Sequence, residues 1–349
     1  MKAAVLLEKE RIVYQEVAEP TVGDGQVKVK VRACGICGSD LPRVFDGTAR
    51  SYPLILGHEF SGTVAEVGKD VTGFTVGEHV VAAPLVPCGT CEDCRNGDYA
   101  LCKHYSFIGS RQNGAFADYV VVPAANVVKI PEALPFEQAA TIEPATVALH
   151  ALRHIHYESG QDVAVLGCGI IGLYMVQWAR ALGAKRITVV GRGEQGLAAA
   201  KRMGADETVS TKDEDAVERL VSGKAFRYVF ECSGAAPMFQ LMLELVKNKG
   251  TICMVGTPKR TLEFTVPQWE QINRRECWVT GSWMSYSAPF PGEEWSTAIA
   301  YMSNGKLRYE EGLVGAVYPM AEAMTAFQRV RNGELKGRVL LSNEKTSEA

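Results

Sequence analysis

The sequence predicts an α/β protein of two domains, a β-rich domain built from residues 1–147 and 287–349 and a doubly wound domain on a six-stranded parallel sheet over residues 148–286. Three observations predict it. Short alternating segments broken by Gly and Pro turns run to about residue 130, strand-like and helix-like runs then alternate, and a Gly-rich turn stands between the first of those strands and the first of those helices. A length of 349 residues exceeds what one small core organises and suits two domains.

In the first part, Val27-Lys-Val-Lys-Val31, Gly62-Thr-Val-Ala-Glu-Val67 and Ala117-Asp-Tyr-Val-Val-Val122 read as half-buried strands. From Val163 the pattern becomes strand Val163–Leu166, helix Ile171–Leu182, strand Arg186–Val190, helix Gln195–Met203, strand Tyr228–Glu231, helix Pro237–Val246 and strand Thr251–Val255. After Gly281 the alternation stops; Met320–Arg331 reads as a last amphipathic helix and Arg338–Leu341 as a strand returning to the first domain. The polar end, Ser342–Ala349, is expected to fray.

Charge excludes some partners. The chain has 37 Lys+Arg against 40 Asp+Glu and no basic run of the kind that tracks a phosphate backbone, which argues against nucleic acid. The apolar run Ala3–Leu7 is shorter than the ~7 residues of a signal h-region and reads as a first strand. The uncharged stretch Val163–Ala179 approaches the ~20 residues of a membrane span but contains three glycines, Gly167, Gly169 and Gly172, as a strand-turn-helix would. The expectation is a cytoplasmic protein without a membrane partner.

The strongest motif is Cys88-x-x-Cys91-x-x-Cys94-x7-Cys102 in a turn-rich stretch. Closely spaced thiolates there can converge on one tetrahedral ion, and four sulfurs close its shell, so a bound zinc would be structural. Disulfides or unliganded thiols are the alternative, disfavoured by the uneven spread of ten cysteines and the lack of a visible secretory signal.

A second zinc, with catalytic chemistry, is suggested by Cys37 and His58 on two turns beside β segments, with Glu59 next to His58 and Glu143 in Ile142-Glu-Pro144 where the first domain hands over to the second. Three protein ligands leave an open position at which a substrate hydroxyl is polarised for hydride loss. The expected place is a cleft between the domains. Ser39 is placed to relay the proton, or is a simple turn serine, and Asp40 to hold the His58 ring, or to cap and face solvent. Cys34 forms a Cys-x-x-Cys with Cys37, so a redox pair competes with a buried thiol; Cys168, Cys232, Cys253 and Cys277 read as core thiols. His79, His104, His150, His154 and His156 show no partner at ligand spacing.

Gly167-Cys-Gly169-Ile-Ile-Gly172 follows an apolar strand and opens a helix, which is the context of a dinucleotide fingerprint rather than of a bare tight turn. The glycines make the turn, admit the pyrophosphate and let helix and strand approach. Ile170 and Ile171 within it, and Cys232, Val255, Gly256, Gly281 and Trp283 at later strand ends, are the further expected cofactor contacts. About 20 residues on, where a carboxylate would bind the ribose hydroxyls of NAD, the chain has Gly191-Arg192. Gly191 makes room and Arg192 offers a cation for a 2′-phosphate, so NADP is expected over NAD; Glu194 would take the NAD role if the strand ended later.

Gly57-His-Glu-Phe-Ser-Gly62, Cys37-Gly-Ser-Asp40, the four-cysteine lobe, Glu143-Pro144 and the Gly-rich turn together resemble the medium-chain zinc alcohol and polyol dehydrogenases along the whole chain. That resemblance implies a GroES-like catalytic domain, a Rossmann domain and a homodimer or homotetramer. It also implies that Cys37, His58 and Glu143 are the catalytic zinc ligands, Glu59 is an alternate or water-linked one, and Cys88, Cys91, Cys94 and Cys102 are the structural ones. Gly38-Ser-Asp-Leu-Pro-Arg43, Phe107-Ile-Gly-Ser-Arg111 and Gly281–Trp295 are similar to the polyol-phosphate branch of the family. Gly191-Arg192 departs from the aspartate of its NAD-using members.

Arg43 and Arg111 are candidates to pair with a substrate phosphate or sugar-acid carboxylate, against the alternative of structural salt bridges. Trp283 and Tyr286 are candidates to wall the substrate site, against packing or subunit contacts. The expected reaction is oxidation of a secondary alcohol of a polyol or polyol phosphate. A sugar acid or keto-glycoside substrate is the alternative, and a non-catalytic dinucleotide-binding protein the remote one; a zinc-free reductase of the same fold would not need Cys37, His58 and Glu143 together.

Overall fold

The computed structural model describes residues 1–309 and 312–344 and divides into two compact units. The first comprises Met1–Glu143, Tyr286–Asn304 and the chain from Val314 onward; the second comprises Pro144–Ser285 with Gly305–Leu313. The boundaries thus fall at 143 and 286 rather than 147 and 287, and the short return of Gly305–Leu313 to the second unit has no counterpart in the sequence reading. Its anchor is local: the Arg308 N–H donates to Gln177 Oε1 at 2.6 Å, and the Gln177 amide sits on the long helix of that unit.

In the first unit a seven-stranded sheet runs in the order Val127–Lys129, His79–Ala82, Glu59–Val67, Gln26–Gly35, Arg338–Ser342 and Val314–Pro319, with Tyr119–Pro123 also paired to Gln26–Gly35. Gln26–Gly35 forms because its residues alternate: Val27, Val29 and Val31 are wholly buried, while the Lys28 ammonium reaches Glu19 and Glu66 at 2.9 and 2.7 Å. Two of its pairings matter for the site. Gly35 lies opposite Glu59, and Cys34 and Gly35 lie opposite Leu341 and Leu340.

In the second unit six parallel strands lie in the order Glu207–Ser210, Arg186–Gly191, Asp162–Leu166, Phe226–Glu231, Val246–Met254 and Trp278–Gly281. This is the six-stranded doubly wound sheet that the sequence predicts, in the order 3-2-1-4-5-6. Its central strands are apolar on both faces because helices cover both: Val163–Leu166 and Val229–Phe230 have essentially no exposure. The helix Ile170–Ala181 buries Trp178 completely, and its indole N–H donates to the Ala145 carbonyl at 2.9 Å.

Several elements escape a reading by periodicity. The strands Glu207–Ser210 and Trp278–Gly281 are short and half polar, and the helices Glu214–Gly223 and Val266–Arg274 are amphipathic but predominantly polar. Beyond Gly281 lie a helix, Glu293–Ser303, and the strand Val314–Pro319, and Met320–Glu322 is a separate 3-10 turn before the helix Ala323–Arg331. Truncating the fully buried Phe230 to Ala should cost about 3–5 kcal/mol, read as a lower midpoint in chemical denaturation of the purified chain.

Candidate metal centres and cofactor cradle

The four-cysteine lobe has the geometry of a closed metal shell. The sulfurs of Cys88, Cys91, Cys94 and Cys102 all lie within 4.8 Å of one another, and those of Cys88 and Cys94 are 3.9 Å apart, close to the ~3.8 Å separation that ~2.3 Å zinc–sulfur bonds impose in a tetrahedron. Backbone donors are already in place: the Cys91 N–H reaches the Cys88 sulfur at 3.4 Å, and the Cys88 N–H reaches that of Cys102 at 3.4 Å. Backbone donation from Thr90 and Cys91 pulls the Cys88 thiol down to about 5, whereas burial and the neighbouring thiols push Cys94 up to about 12. None of the ten cysteines forms a disulfide.

The second group forms where three strands meet. Cys37 follows the end of Gln26–Gly35 by two residues, His58 immediately precedes Glu59–Val67, and the Gly35–Glu59 register brings them to the same end of the sheet. Ligand atoms of Cys37, His58 and Glu59 lie within 4.8 Å of one another. Glycine at 35 is required by Glu59, since a Cβ there would stand 2.5 Å from Glu59 Oε2. From the third strand, Arg338 contributes Nη2 to Glu59 Oε1 at 3.0 Å and donates from Nη1 to the Ile36 carbonyl at 2.7 Å.

Asp40 organises the Cys37 turn from full burial. Its Oδ2 accepts the Cys37 N–H at 3.1 Å, its Oδ1 accepts from Arg43 Nη1 at 3.1 Å, and the same oxygen stands 3.6 Å from His58 Nδ1. Ser39 is exposed on that turn, with its Oγ accepting from Arg43 Nη1 at 3.1 Å.

This donor set fits a divalent cation. Among the described residues His58 Nδ1 and Glu59 Oε2 are buried with no hydrogen-bond partner, a soft thiol stands beside them, and the buried acids Asp40 and Glu59 share one buried arginine, Arg338. Burial raises Glu59 to about 8 although Arg338 opposes it, and raises Glu143 to about 7 with help from the Glu59 charge. Glu143 is outside the three-donor group but within electrostatic reach of Glu59, His58, Arg338 and Asp40.

In the second unit the strand Asp162–Leu166 turns at Gly167, whose φ of +116° favours glycine, into the helix Ile170–Ala181. Gly172 packs under the turn; a Cβ on it would meet the Gly167 carbonyl oxygen at 2.0 Å. A cavity of about 820 Å³ opens at the carboxyl ends of the strands, where the order reverses, which is where an open α/β sheet binds its ligand. Gly167, Gly169, Gly191, Arg192 and Cys232 line it, as do Cys168, Thr211, Lys259 and Arg260.

Other expected contacts fall elsewhere. Ile170, Ile171, Gly172, Val255, Gly256, Gly281 and Trp283 are not among the lining residues. Gly256 instead lies against the buried Glu231 carboxylate, which accepts the N–H groups of Ser233 and Gly234 at 2.8 and 3.0 Å and so shapes the loop on the cavity wall. Cys168 is not a core thiol but half-exposed on the cavity wall. Glu194 begins the helix Glu194–Arg202 after a strand that ends at Gly191, and it is exposed. Arg111 is engaged locally, donating to the Tyr105 carbonyl at 2.8 Å and stacking 3.6 Å over its ring. Tyr286 is buried with its hydroxyl accepting the Leu85 N–H at 3.2 Å, and Trp283 is exposed. Glu231, Lys259 and Arg260 carry no fixed spacing to the Gly-rich turn, so only the sheet brings them to it.

Comparison with known proteins matches residues 23–132 to the alcohol dehydrogenase GroES-like domain and residues 171–304 to the zinc-binding dehydrogenase model. Galactitol 1-phosphate 5-dehydrogenase of Escherichia coli K12 is 38% identical over 321 residues, 90% of this chain and 92% of that one. The chain belongs to the zinc-binding alcohol and polyol dehydrogenase family. A sorbitol dehydrogenase of Halalkalibacterium halodurans is 34% identical over 92% of each chain. The crystal structure of galactitol-1-phosphate dehydrogenase from Escherichia coli is similar with a TM-score of 0.93 and 36% identity, covering 98% of this chain and 100% of that one. A zinc-binding dehydrogenase from Sinorhizobium meliloti bound to NADP (TM-score 0.88, 29% identity, 98% of each chain) and an alcohol dehydrogenase from Escherichia coli CFT073 complexed with NADH (0.88, 28%, 98% and 99%) also match. As a member of this family the protein is a zinc-dependent, nicotinamide-linked oxidoreductase of CH–OH donors, and among the described residues no helix is long and apolar enough to cross a membrane.

Arg338→Met, which removes the guanidinium 3.0 Å from Glu59, should cost about 3–5 kcal/mol in denaturant unfolding, whereas Arg338→Lys should recover part of that loss. Unchanged stability in Arg338→Met would contradict the assigned role of the pair.

Proposed function

We propose that the protein oxidises a secondary hydroxyl of a polyol phosphate to a ketose phosphate, transferring hydride to NADP and releasing one proton. We further propose two zinc ions per chain, one in the four-cysteine lobe and one held by Cys37, His58 and a glutamate, with Glu59 and Glu143 the two candidates. The observation that carries the reading is the convergence of Cys37, His58 and Glu59 at the strand ends, where His58 Nδ1 and Glu59 Oε2 are buried without a hydrogen-bond partner among the described residues. When bound, zinc supplies a Lewis acid that lowers the pKa of a coordinated hydroxyl, as it lowers that of water from 15.7 to about 7, and NADP supplies the hydride acceptor.

The chain's own groups do the rest. Asp40 fixes the Cys37 turn through its backbone N–H and stands beside the His58 ring, keeping both ligands in one orientation. Ser39, exposed on the same turn, offers the released proton a hydroxyl in contact with solvent. At the cofactor end, the strand stops at Gly191 with no carboxylate, and Arg192, Lys259 and Arg260 share the cavity, which favours NADP over NAD.

The substrate class rests on the 38% identity to galactitol 1-phosphate 5-dehydrogenase. A second reading, the same chemistry on an unphosphorylated polyol or sugar acid, is favoured by the two arginines: Arg111 is taken up by Tyr105, and Arg43 by Ser39 and Asp40. Ten free cysteines suit a reducing cytoplasm. A homodimer or homotetramer is supported by the edge strand Trp278–Gly281, which exposes Trp278 and Val279.

The test follows reduced-nicotinamide absorbance of zinc-loaded protein with galactitol 1-phosphate, galactitol and sorbitol, each with NAD and with NADP. The expected result is turnover of the phosphate ester with higher kcat/KM for NADP. Turnover of the free polyols alone would overturn the phosphate reading, and a higher kcat/KM with NAD the cofactor reading. Cys37→Ser should cut turnover roughly 10³-fold or more, the equivalent of several kcal/mol of lost Lewis-acid stabilisation, while NADPH still binds.

A further inference from the structure

The strand Phe226–Glu231 ends on a carboxylate that stands outside the zinc chemistry. Glu231 has no exposure, and its oxygens are satisfied by neutral donors. Oε1 accepts the Ser233 N–H at 2.8 Å, the Ser233 hydroxyl at 2.5 Å and the Gly234 N–H at 3.0 Å, and Oε2 stands 3.1 Å from that last nitrogen. Burial pushes the carboxyl up, and these donors oppose it. Ser233 Oγ in turn accepts the Ala235 N–H at 3.0 Å, so one side chain closes the whole turn after the strand.

The same residue holds a second loop through its main chain. The Glu231 carbonyl accepts the N–H groups of Val255 and Gly256, both at 2.8 Å. The two loops meet with no room between them: a Cβ at Gly256 would stand 2.4 Å from the Gly234 nitrogen and 2.5 Å from Glu231 Oε2, and one at Gly234, whose φ is +68°, would stand 2.2 Å from the Thr257 carbonyl oxygen. The Lys259 N–H completes the contact, donating to the Gly234 carbonyl at 3.4 Å. Both loops line the cofactor cavity, the first from Cys232 to Met238 and the second with Lys259 and Arg260, and Arg192 joins them from just beyond the strand Arg186–Gly191.

We propose that Glu231 is a positioning residue for cofactor binding: by gathering the Ser233–Ala235 turn and the Val255–Arg260 loop around one carboxylate, it sets where Lys259 and Arg260 stand relative to Arg192, and so the affinity for the cofactor's phosphates. The inference rests on the reading of this cavity as the cofactor site, and not on the choice between NADP and NAD. A carboxylate is required because both of its oxygens face loop donors; a glutamine in the same place offers one oxygen and sets an amide N–H against a loop N–H, donor against donor. The sign of the effect separates position from charge. Removing a negative charge near the cavity would by itself tighten the hold on an anion, whereas displaced loops loosen it.

Calorimetric titration of the zinc-loaded full chain with NADPH, in the absence of any alcohol, tests this without turnover. Glu231→Gln should weaken NADPH binding about tenfold. In a chain that already carries Lys259→Ala and Arg260→Ala, the same substitution should change the affinity by less than about twofold, since the cations it positions are gone. A general loosening of the fold would instead weaken binding in both backgrounds alike. Glu231→Gln that binds NADPH as tightly as the wild type or more tightly, or a loss that persists without Lys259 and Arg260, would overturn the proposal. If Glu231→Gln does not fold, Glu231→Asp, which keeps the charge but draws it back from the loops by one methylene, goes through the same cycle with the same outcomes. A wild type that prefers NADH to NADPH would overturn the NADP preference alone, and the cycle is then read with NADH; binding of neither would overturn the cavity reading, and this proposal with it.

Discussion

The first unit depends on one buried ion pair at a meeting of three strands. Arg338 lies on the strand Arg338–Ser342, its partner Glu59 opens Glu59–Val67, and the strand between them, Gln26–Gly35, is separated from Cys37 by a single residue. The C-terminal strand pairs with Gln26–Gly35 through Cys34 and Gly35, and Arg338 also takes the Ile36 carbonyl, so residues more than 300 positions apart set the height at which Cys37 stands beside His58. A buried pair of this kind is poor value for stability alone, because desolvation offsets its attraction. Here it has a further use: it keeps one carboxylate oxygen of Glu59 bound and leaves the other unpartnered toward the thiol and the imidazole. A divalent cation bound there would offset the excess of buried acid over buried base.

The two candidate metal groups differ in the way that structural and catalytic zinc differ. The four thiols of the lobe would close a tetrahedral shell around one ion, with backbone N–H donors already pointed at sulfur, and leave no position for a substrate. The mixed group of thiol, imidazole and carboxylate is supported instead by Asp40 and Arg338 around it, an arrangement that fixes ligand orientation more than ligand number. In the second unit the same economy appears without metal: Glu231 spends its carboxylate on two loop N–H groups, and the sheet order places that loop, the Gly-rich turn and Lys259 and Arg260 on one cavity.

Much of this was legible in the sequence, because the decisive signals are local. Cys-x-x-Cys-x-x-Cys-x7-Cys needs no tertiary information, nor does a Gly-rich turn between an apolar strand and an amphipathic helix. The end of the second parallel strand at Gly191 was likewise readable from Arg186–Val190. What escaped depends on long-range pairing: Arg338, Glu231, Lys259 and Arg260 acquire meaning only through the sheets. Cys168 was misread because a small apolar residue beside a strand is most often core, and nothing in its neighbourhood says that three glycines leave it a place on the cavity wall. The helix Val266–Arg274 was missed for a different reason. It is short and predominantly polar, but Thr265-x-x-Gln268 is a capping box with proline in the first turn, a start signal that apolar content does not weigh.

The central claim is that one chain holds two chemically distinct zinc sites, and metal content measures it most directly. Zinc per chain, determined by elemental mass spectrometry after exhaustive buffer exchange, should be about two in the wild type and about one in Cys37→Ser and in Cys94→Ser alike. A wild type that retains one zinc, lost only in Cys94→Ser, would contradict the account: the lobe would then be the sole metal site, and the buried acids around Arg338 would require another explanation.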